Sequence, residues 1–344
     1  MSKILVTGAC GYIGSHTLVD LIDHGFEVVS VDNLSNSSEE VLDGIEAITG
    51  VRVQNYAIDL CDPDATRRLF VEEEDIQGII HFAALKAVGE SVFQPLRYFR
   101  NNLNSLLNVL DCMKEFGVPD LIFSSSCSVY GNADELPVTE TTPWQPAESP
   151  YGRTKQMGEH IIRDVTHAFS DLNAILLRYF NPAGAHESAL IGESPINPAS
   201  NLVPVITETA IGKRREMTVF GDDYDTRDGS NIRDYIHVMD LANAHTKALQ
   251  YLQQSRNTDN CEVYNLGIGE GVTVLEAIQA FERVTGRRLN YTIGERRAGD
   301  VVAIYANYDK AKKRLGWTPK RDINDIMRTA WKWEEKRVAA ELKN

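Results

Sequence analysis

The sequence predicts an α/β protein built on a doubly wound parallel sheet, and three observations lead there. Apolar strand-like runs alternate with helix-period stretches through the first half of the chain. The first run, Ile4-Leu5-Val6-Thr7, ends on Gly8, with Gly11 and Gly14 following before an amphipathic stretch. The second, Val28-Val29-Ser30-Val31, ends on an acidic residue, Asp32, 18 residues after Gly14. Repeated β-α units of this kind require right-handed crossovers and pack helices on both faces of one parallel sheet.

Taken in order, the spacing predicts strands at 3–8, 27–32, 51–56, 78–83, 120–125 and 173–179, with helices between them. The rhythm breaks after Asn181-Pro182. Residues 184–201, rich in Gly, Pro, Ser and Asn, read as a long loop of the kind that carries function. A helix near 202–213 follows, then short strands around 217–220 and 235–238 and a helix over 239–253. Val263-Tyr264-Asn265-Leu266 returns a strand to the main sheet. Helices at 273–285, near 309–315 and from about 322 complete the chain. The expected division is a first domain of 1–181 plus about 239–266, and a smaller, discontinuous C-terminal α/β domain of about 182–238 plus 267–344.

The glycine turn has a chemical reading. Gly8 and Gly11 let the backbone bend and approach a diphosphate, while Gly14 lets the helix pack close to the strand. Unpaired amides and the positive end of the helix dipole then face the anion. Asp32 can accept both ribose hydroxyls of an adenosine. It would repel a phosphate there, and no arginine follows closely to receive one, so the reading is NAD and not NADP. In isolation Asp32 also reads as a helix cap or turn residue before Asn33.

Composition narrows the function classes. The chain has 344 residues, 43% hydrophobic, ample for a large core, and a net charge of −14 from 35 basic and 49 acidic residues. That balance argues against nucleic acid and against an anionic membrane surface as partners. No basic-then-apolar leader and no membrane-length apolar run is seen, so the expectation is a soluble, cytoplasmic protein. The five cysteines, at 10, 61, 112, 127 and 261, include no Cys-x-x-Cys pair, so neither a metal site nor a disulfide framework is expected. Cys127 reads as a small buried side chain and not a nucleophile.

Tyr151 and Lys155, spaced i,i+4 after Ser149-Pro150, stack on one face of a predicted helix. A tyrosine near pKa 10 is a poor base at neutral pH, but an ammonium and a cationic nicotinamide beside it favour the phenolate. Ser124-Ser125-Ser126 closes the fifth strand, 25 residues before Tyr151, and ligands bind beyond the carboxyl ends of strands in open α/β sheets. A hydroxyl at Ser126 can hold a substrate hydroxyl in line with the phenolate. Taken singly, the pair also reads as a surface helix pair and the serines as a polar loop.

With these motifs the chain resembles the extended short-chain dehydrogenase/reductase superfamily and, within it, the UDP-glucose 4-epimerase family. The marks are Thr7 to His16, Asp32 to Ser37, His81 to Ser91, Asn101-Asn102, Ser124 to Gly131, Ser149 to Gly152, Leu177 to Pro182 and Arg233 to Leu241. The Leu-Lys-Ala-Val-Gly-Glu-Ser and Arg-Asp-Tyr-Ile-His-Val runs are the ones most specific to the epimerase. The resemblance implies Tyr151 as the base for the sugar 4-hydroxyl, Ser126 as its partner, and Lys155 as holder of the nicotinamide ribose. It implies a cofactor site of Gly8, Gly11, Tyr12, Ile13, Gly14, Asp32, Asn33, Asn36, Ser37, Asp59, Leu60, Phe82, Lys86, Asn101 and Tyr179. For the UDP-hexose it implies Asn181, Asn201, Leu202, Phe220, Arg233, Arg297 and Asp300. Guanidinium groups suit a diphosphate, whereas Asn36 also reads as a helix cap, Phe220 as core, and Asp300 as a partner for an arginine. Ala84 stands where the family commonly has glycine, and Cys127 where it often has alanine or threonine.

The implied reaction is reversible 4-epimerisation of UDP-glucose and UDP-galactose through a 4-keto sugar on retained NAD. The resemblance also implies a homodimer, with helices near 95–117 and 151–171 available to pair. Ile304, four residues after Asp300, would bound the pocket beside the sugar 2-position, so N-acetylated sugars are expected to be poor substrates. The alternatives are another NAD-dependent nucleotide-sugar epimerase, dehydratase or decarboxylase on the same scaffold, or a non-catalytic NAD sensor. A dehydratase needs an Asp-Glu pair beside the strand serine, where this chain reads Ser126-Cys127-Ser128.

Overall fold

The computed structural model describes residues 1–194, 196, 198–297 and 300–341. In chain order the first elements are β1 (Lys3–Thr7), α1 (Tyr12–Asp23), β2 (Glu27–Val31), α2 (Val41–Thr49), β3 (Asn55–Tyr56), α3 (Pro63–Glu72) and β4 (Ile76–His81). They continue as α4 (Val88–Phe93), α5 (Pro95–Phe116), β5 (Asp120–Ser126), α6 (Pro150–Ala168), β6 (Asn173–Tyr179) and β7 (Asn181–Ala183). Next come α7 (Leu202–Ile211), β8 (Met217–Phe220), β9 (Ile232–Arg233), β10 (Tyr235–His237), α8 (Val238–Gln253) and β11 (Cys261–Leu266). The last are β12 (Val272–Thr273), α9 (Val274–Thr285), β13 (Tyr291–Gly294), β14 (Ala303–Ile304), α10 (Asp309–Leu315) and α11 (Ile323–Glu341).

Seven of these strands form one parallel sheet in the order β11-β6-β5-β4-β1-β2-β3. The order reverses between β1 and β4, which opens a crevice at their carboxyl ends. Both faces are covered, as near-continuous apolar strands demand. One face packs Ile4, Val6 and Ile122 against Leu18 of α1 and Leu241 and Ala248 of α8. The other packs Leu5, Ile79 and Phe123 against Leu69 of α3, Leu106 of α5 and Ile162 of α6. A separate core, including Ile206, Val219, Phe281 and Met327, gathers α7, β8, α9 and α11. Small sheets β12-β9-β14, β13-β8 and β10-β7 accompany it.

The predicted strand at 51–56 shrinks to Asn55–Tyr56. Among the described residues it is an edge strand registered only with Ser30 and Val31 of β2, and of the preceding stretch only Gln54 is tied to that strand, accepting from Ser30 N at 3.2 Å. The fourth strand lies two residues earlier than predicted. Registered pairing ends at His81; Phe82 N still donates to the Thr7 carbonyl at 3.1 Å, and the Ala83 amide turns to Thr7 Oγ1 at 3.2 Å. No helix among the described residues is long and apolar enough to cross a membrane.

Candidate functional site

The glycine turn is built by contacts that admit no side chain. Gly8 adopts φ +65°, and a Cβ there would meet the Ala83 backbone nitrogen at 2.8 Å. A Cβ on Gly14 would lie 2.4 Å from the Gly8 carbonyl oxygen. Gly11 caps α1 with no side-chain hydrogen bond, and no acidic residue stands in the first turn. The helix that begins at Tyr12 and Ile13 therefore presents uncapped amides and a positive dipole end at the crevice, ready for an anion. The Tyr12 hydroxyl donates to the Gly184 carbonyl at 2.6 Å, clasping this helix to the start of the long loop.

Asp32 is buried at the end of β2. Its Oδ1 accepts from Leu34 N at 2.9 Å and Ser37 Oγ at 2.7 Å, and its Oδ2 from Cys10 N at 3.1 Å. Of the sequence-predicted cofactor residues near it, Ser37 is thus tied to Asp32, Asn33 accepts from Ser35 N, and Asn36 is exposed. Asp59 turns the chain by accepting from Cys61 N, while Leu60 is buried in the core. Phe82 packs against His245, with ring centroids 4.6 Å apart. Lys86 is exposed and lies 3.8 Å from Glu193. Its loop is fixed from α5, since Leu85 N donates to Asn102 Oδ1 and Ala87 N to the Tyr98 hydroxyl. Asn101 donates to Asn102.

Ser126, Tyr151 and Lys155 come together at the carboxyl end of β5. Ser149 caps α6 by accepting from Gly152 N at 3.1 Å, and Pro150 fits the first helical position. Lys155 is buried, donates from Nζ to the Ser124 carbonyl at 2.5 Å, and stands 5.9 Å from the Tyr151 ring centroid. Burial pushes the Lys155 ammonium down to about 8, with Glu159 holding it up. Burial raises the Tyr151 phenol above its ordinary range, Tyr179 adds to this, and Ser126 opposes it; the lowering predicted from sequence rests on two cations, of which Lys155 is one. Desolvation outweighs the single cation nearby. Tyr179 is hydrogen-bonded to the Ser124 hydroxyl.

The predicted UDP residues gather in the second core region. Arg233 on β9 is registered with Ile304 on β14. Its guanidinium donates to the carbonyls of Ile232 and Val301 and approaches Asp300 at 3.5 Å. Arg297 meets Asp300 through two hydrogen bonds, at 3.1 and 2.8 Å, so this carboxylate orients two arginines. Arg297 also lies over the Phe220 ring at 5.6 Å. Phe220 is 43% exposed, which excludes the core reading for it. Ile304 is buried with Val129, Phe180 and Ala306, against Cys127. Asn181 opens β7, while Asn201 precedes Leu202 at the start of α7 and donates to Glu193 at 3.0 Å.

Sequence reasoning missed Glu159 and Arg178, a buried pair behind the serines, and Asp234, which accepts from the amides of Ile268, Gly269 and Ala306. The signal for Glu159 was present, since it extends the Tyr151-Lys155 stripe by one more turn.

The chain is similar to known proteins over nearly its whole length. Residues 5–330 match the family model described as GDP-mannose 4,6 dehydratase. The UDP-glucose 4-epimerase of Bacillus subtilis is 47% identical over 335 residues, covering 97% of each chain. That of Homo sapiens is 44% identical over 339 residues, covering 97% of this chain and 96% of the relative. Among solved structures, UDP-glucose 4-epimerase from Bifidobacterium longum in complex with NAD+ and UDP superposes with TM-score 0.93 at 45% identity, covering 98% of this chain and 99% of that one. The enzyme from Stenotrophomonas maltophila with bound NAD and formylated UDP-arabinopyranose gives 0.95 at 46%, covering 99% and 100%.

Proposed function

The chain belongs to the UDP-glucose 4-epimerases within that wider family, and from this premise we infer that it interconverts UDP-glucose and UDP-galactose on retained NAD. The observation that carries the reading is the convergence of Ser126, Tyr151 and Lys155 at the carboxyl end of β5, in the same crevice as the uncapped glycine turn. The turn and Asp32 fit NAD: amides for the diphosphate, and carboxylate lone pairs for ribose hydroxyls. Gly8, Gly11, Tyr12, Ile13, Gly14, Asp32, Asn33, Asn36, Ser37, Asp59, Leu60, Phe82, Lys86, Asn101 and Tyr179 would hold it, with Tyr151 and Lys155. Bound there, NAD supplies the acceptor and donor of hydride at sugar C4.

The protein's own part is proton handling and grip. Tyr151 Oη accepts the proton of the sugar 4-hydroxyl, and Ser126 Oγ shares that hydrogen bond. Because burial holds Tyr151 protonated, one cation does not suffice to make it a base. Lys155 would favour the phenolate together with a second positive charge, such as an oxidised nicotinamide would supply if held beside Tyr151. Arg233 and Arg297, steered by Asp300, hold the diphosphate, while Asn181, Asn201, Leu202 and Phe220 line the rest of the nucleotide. Few contacts to the hexose leave the 4-keto sugar free to turn, after which Tyr151 returns its proton. Ile304 bounds the sugar 2-position and disfavours N-acetylated substrates.

We assign residues 1–181 plus about 239–266 to NAD and about 182–238 plus 267–344 to the UDP-sugar; residues 342–344 lie outside the described structure. The exposed apolar side chains of Leu96 and Leu107 on α5, of Phe93 just before it, and of Met157 on α6 support a homodimer through α5 and α6. Five unpaired cysteines support a cytoplasmic protein. Dehydration is disfavoured because Cys127 and Ser128, not a carboxylate pair, follow Ser126. The test is incubation with UDP-galactose without added NAD. UDP-glucose approaching a fixed ratio from either side supports the reading, and no conversion even with added NAD refutes it.

A further inference from the structure

Strand alternation divides the serine run of β5 between two faces. Ser124 and Ser126 lie on the side of Tyr179, whereas Ser125 lies on the side of α6, paired in register with Arg178 of β6. Glu159, fully buried on α6, reaches both of these neighbours. Its Oε1 accepts from Ser125 Oγ at 2.5 Å and Arg178 Nε at 2.8 Å, and its Oε2 from Arg178 Nη2 at 2.6 Å. The remaining guanidinium nitrogen, Nη1, donates to the Tyr130 hydroxyl at 2.9 Å, which donates in turn to Asn265 at 2.6 Å. Glu159 lies on the same helical stripe as Lys155 and Tyr151, about 6 Å along the axis from Lys155.

We propose that Glu159 and Arg178 form a charge-balanced positioning pair, which locks α6 to the β5-β6 junction and sets the electrostatic potential felt by Tyr151 and Lys155. A bidentate, fully buried Arg-carboxylate fork fixes both translation and rotation of the helix. The balance matters because removing one partner leaves an uncompensated charge in a water-poor region one turn from the reacting groups.

The surrounding charges do not mask this. On α6, Arg163 approaches Glu159 at 3.9 Å but its side chain is 42% exposed. Glu140 receives Arg178 through its backbone carbonyl, and its carboxylate accepts from Asn265 N. Cys261 on β11 has a thiol raised to about 11, and His81 on β4 is pushed down to about 3 by burial and by Lys155, so both stay neutral. Tyr130 is raised to about 12 by burial and stays neutral too.

The inference rests on the epimerase reading, and the test is the pH profile of kcat on UDP-galactose for purified, NAD-loaded protein. Glu159→Gln leaves Arg178 unbalanced, which favours loss of protons from both Tyr151 and Lys155. Both limbs of the profile should move to lower pH by about one pH unit. Arg178→Gln leaves Glu159 unbalanced, and both limbs should move to higher pH by a similar amount. The double variant should bring the limbs back to the parental positions with kcat still reduced. Arg178→Lys keeps the charge and loses the fork, so kcat should fall about 10- to 100-fold with unmoved limbs and a KM within about threefold of the parent. Shifts in the same direction for the two single variants, or none, overturn the electrostatic part. If the two glutamine variants do not fold, Arg178→Lys with parental kcat still overturns the positioning part. An inactive parent protein would instead fail the epimerase reading itself.

Discussion

Adding one methyl group at Gly14 separates packing from cofactor binding in the glycine turn. The new Cβ would sit 2.4 Å from the Gly8 oxygen, 2.7 Å from Ala9 Cα and 3.0 Å from the Ala9 carbonyl carbon. All three are backbone atoms, so no rotamer change relieves the clash. Reaching ordinary contact at about 3.4 Å requires α1 to lift by about 1 Å from the turn. Overpacking of this kind costs about 2 kcal/mol. Gly11 is the control. Its φ is −72° and the one atom its Cβ would meet is the Gly8 oxygen at 3.1 Å. Gly11→Ala should therefore change stability by less than about 0.5 kcal/mol while still obstructing a diphosphate. The assay is urea unfolding of NAD-stripped proteins, because bound NAD would itself stabilise the native state. It is paired with measurement of NAD retained after gel filtration. Gly14→Ala should lose stability and retention together, and Gly11→Ala retention alone. A stripped Gly14→Ala protein that unfolds at the parental urea concentration would refute the close-packing argument.

Further outcomes follow from the same geometry. Tyr151→Phe should lower kcat about 10³-fold with little change in KM and full NAD content, read by single-turnover conversion of UDP-galactose. Lys155 keeps its proton below about 8 and loses it above, so kcat should decline on the alkaline side through that value. Lys155→Met should flatten that limb. Ile304→Gly should raise the rate on UDP-N-acetylglucosamine relative to UDP-glucose, at a cost of about 4 kcal/mol from the emptied core position. Comparable N-acetyl rates in the parent would contradict the assignment of Ile304. Phe93→Asp should shift the protein from dimer to monomer in sedimentation, and a parent that sediments as a monomer would remove the homodimer.

Much of the first half was legible because its signals are local. The glycines, Asp32 and the Tyr151-Lys155 spacing each announce a backbone shape or a helix face within a few residues. The doubly wound parallel sheet followed because crossovers have one hand. The strands around Arg233 and Ile304 were not legible: β9, β12 and β14 have two residues each, too few for any period, and exist because they pair with one another. Phe220 admits a core reading and is exposed, since alternation along β8 buries Met217 and Val219 and turns Thr218 and Phe220 outward. Glu159 and Arg178 were hidden for another reason. Each looks like a surface charge until a partner from another element removes both from water. The burial that raises the Tyr151 phenol was not legible either, because sequence proximity shows the cation beside it and not what surrounds it.

The clasp between Tyr12 and Gly184 links residues 172 positions apart. During synthesis the glycine helix emerges early, yet the carbonyl that secures it leaves the ribosome only after six strands of the main sheet. Trp317, whose indole donates to Asp240 and closes the core against α1 and α8, arrives later still. A nascent chain can thus shape the turn long before this clasp closes. The helix that faces the crevice is secured late in the life of the polypeptide, in an order set by translation and not by how fast the first β-α-β unit folds.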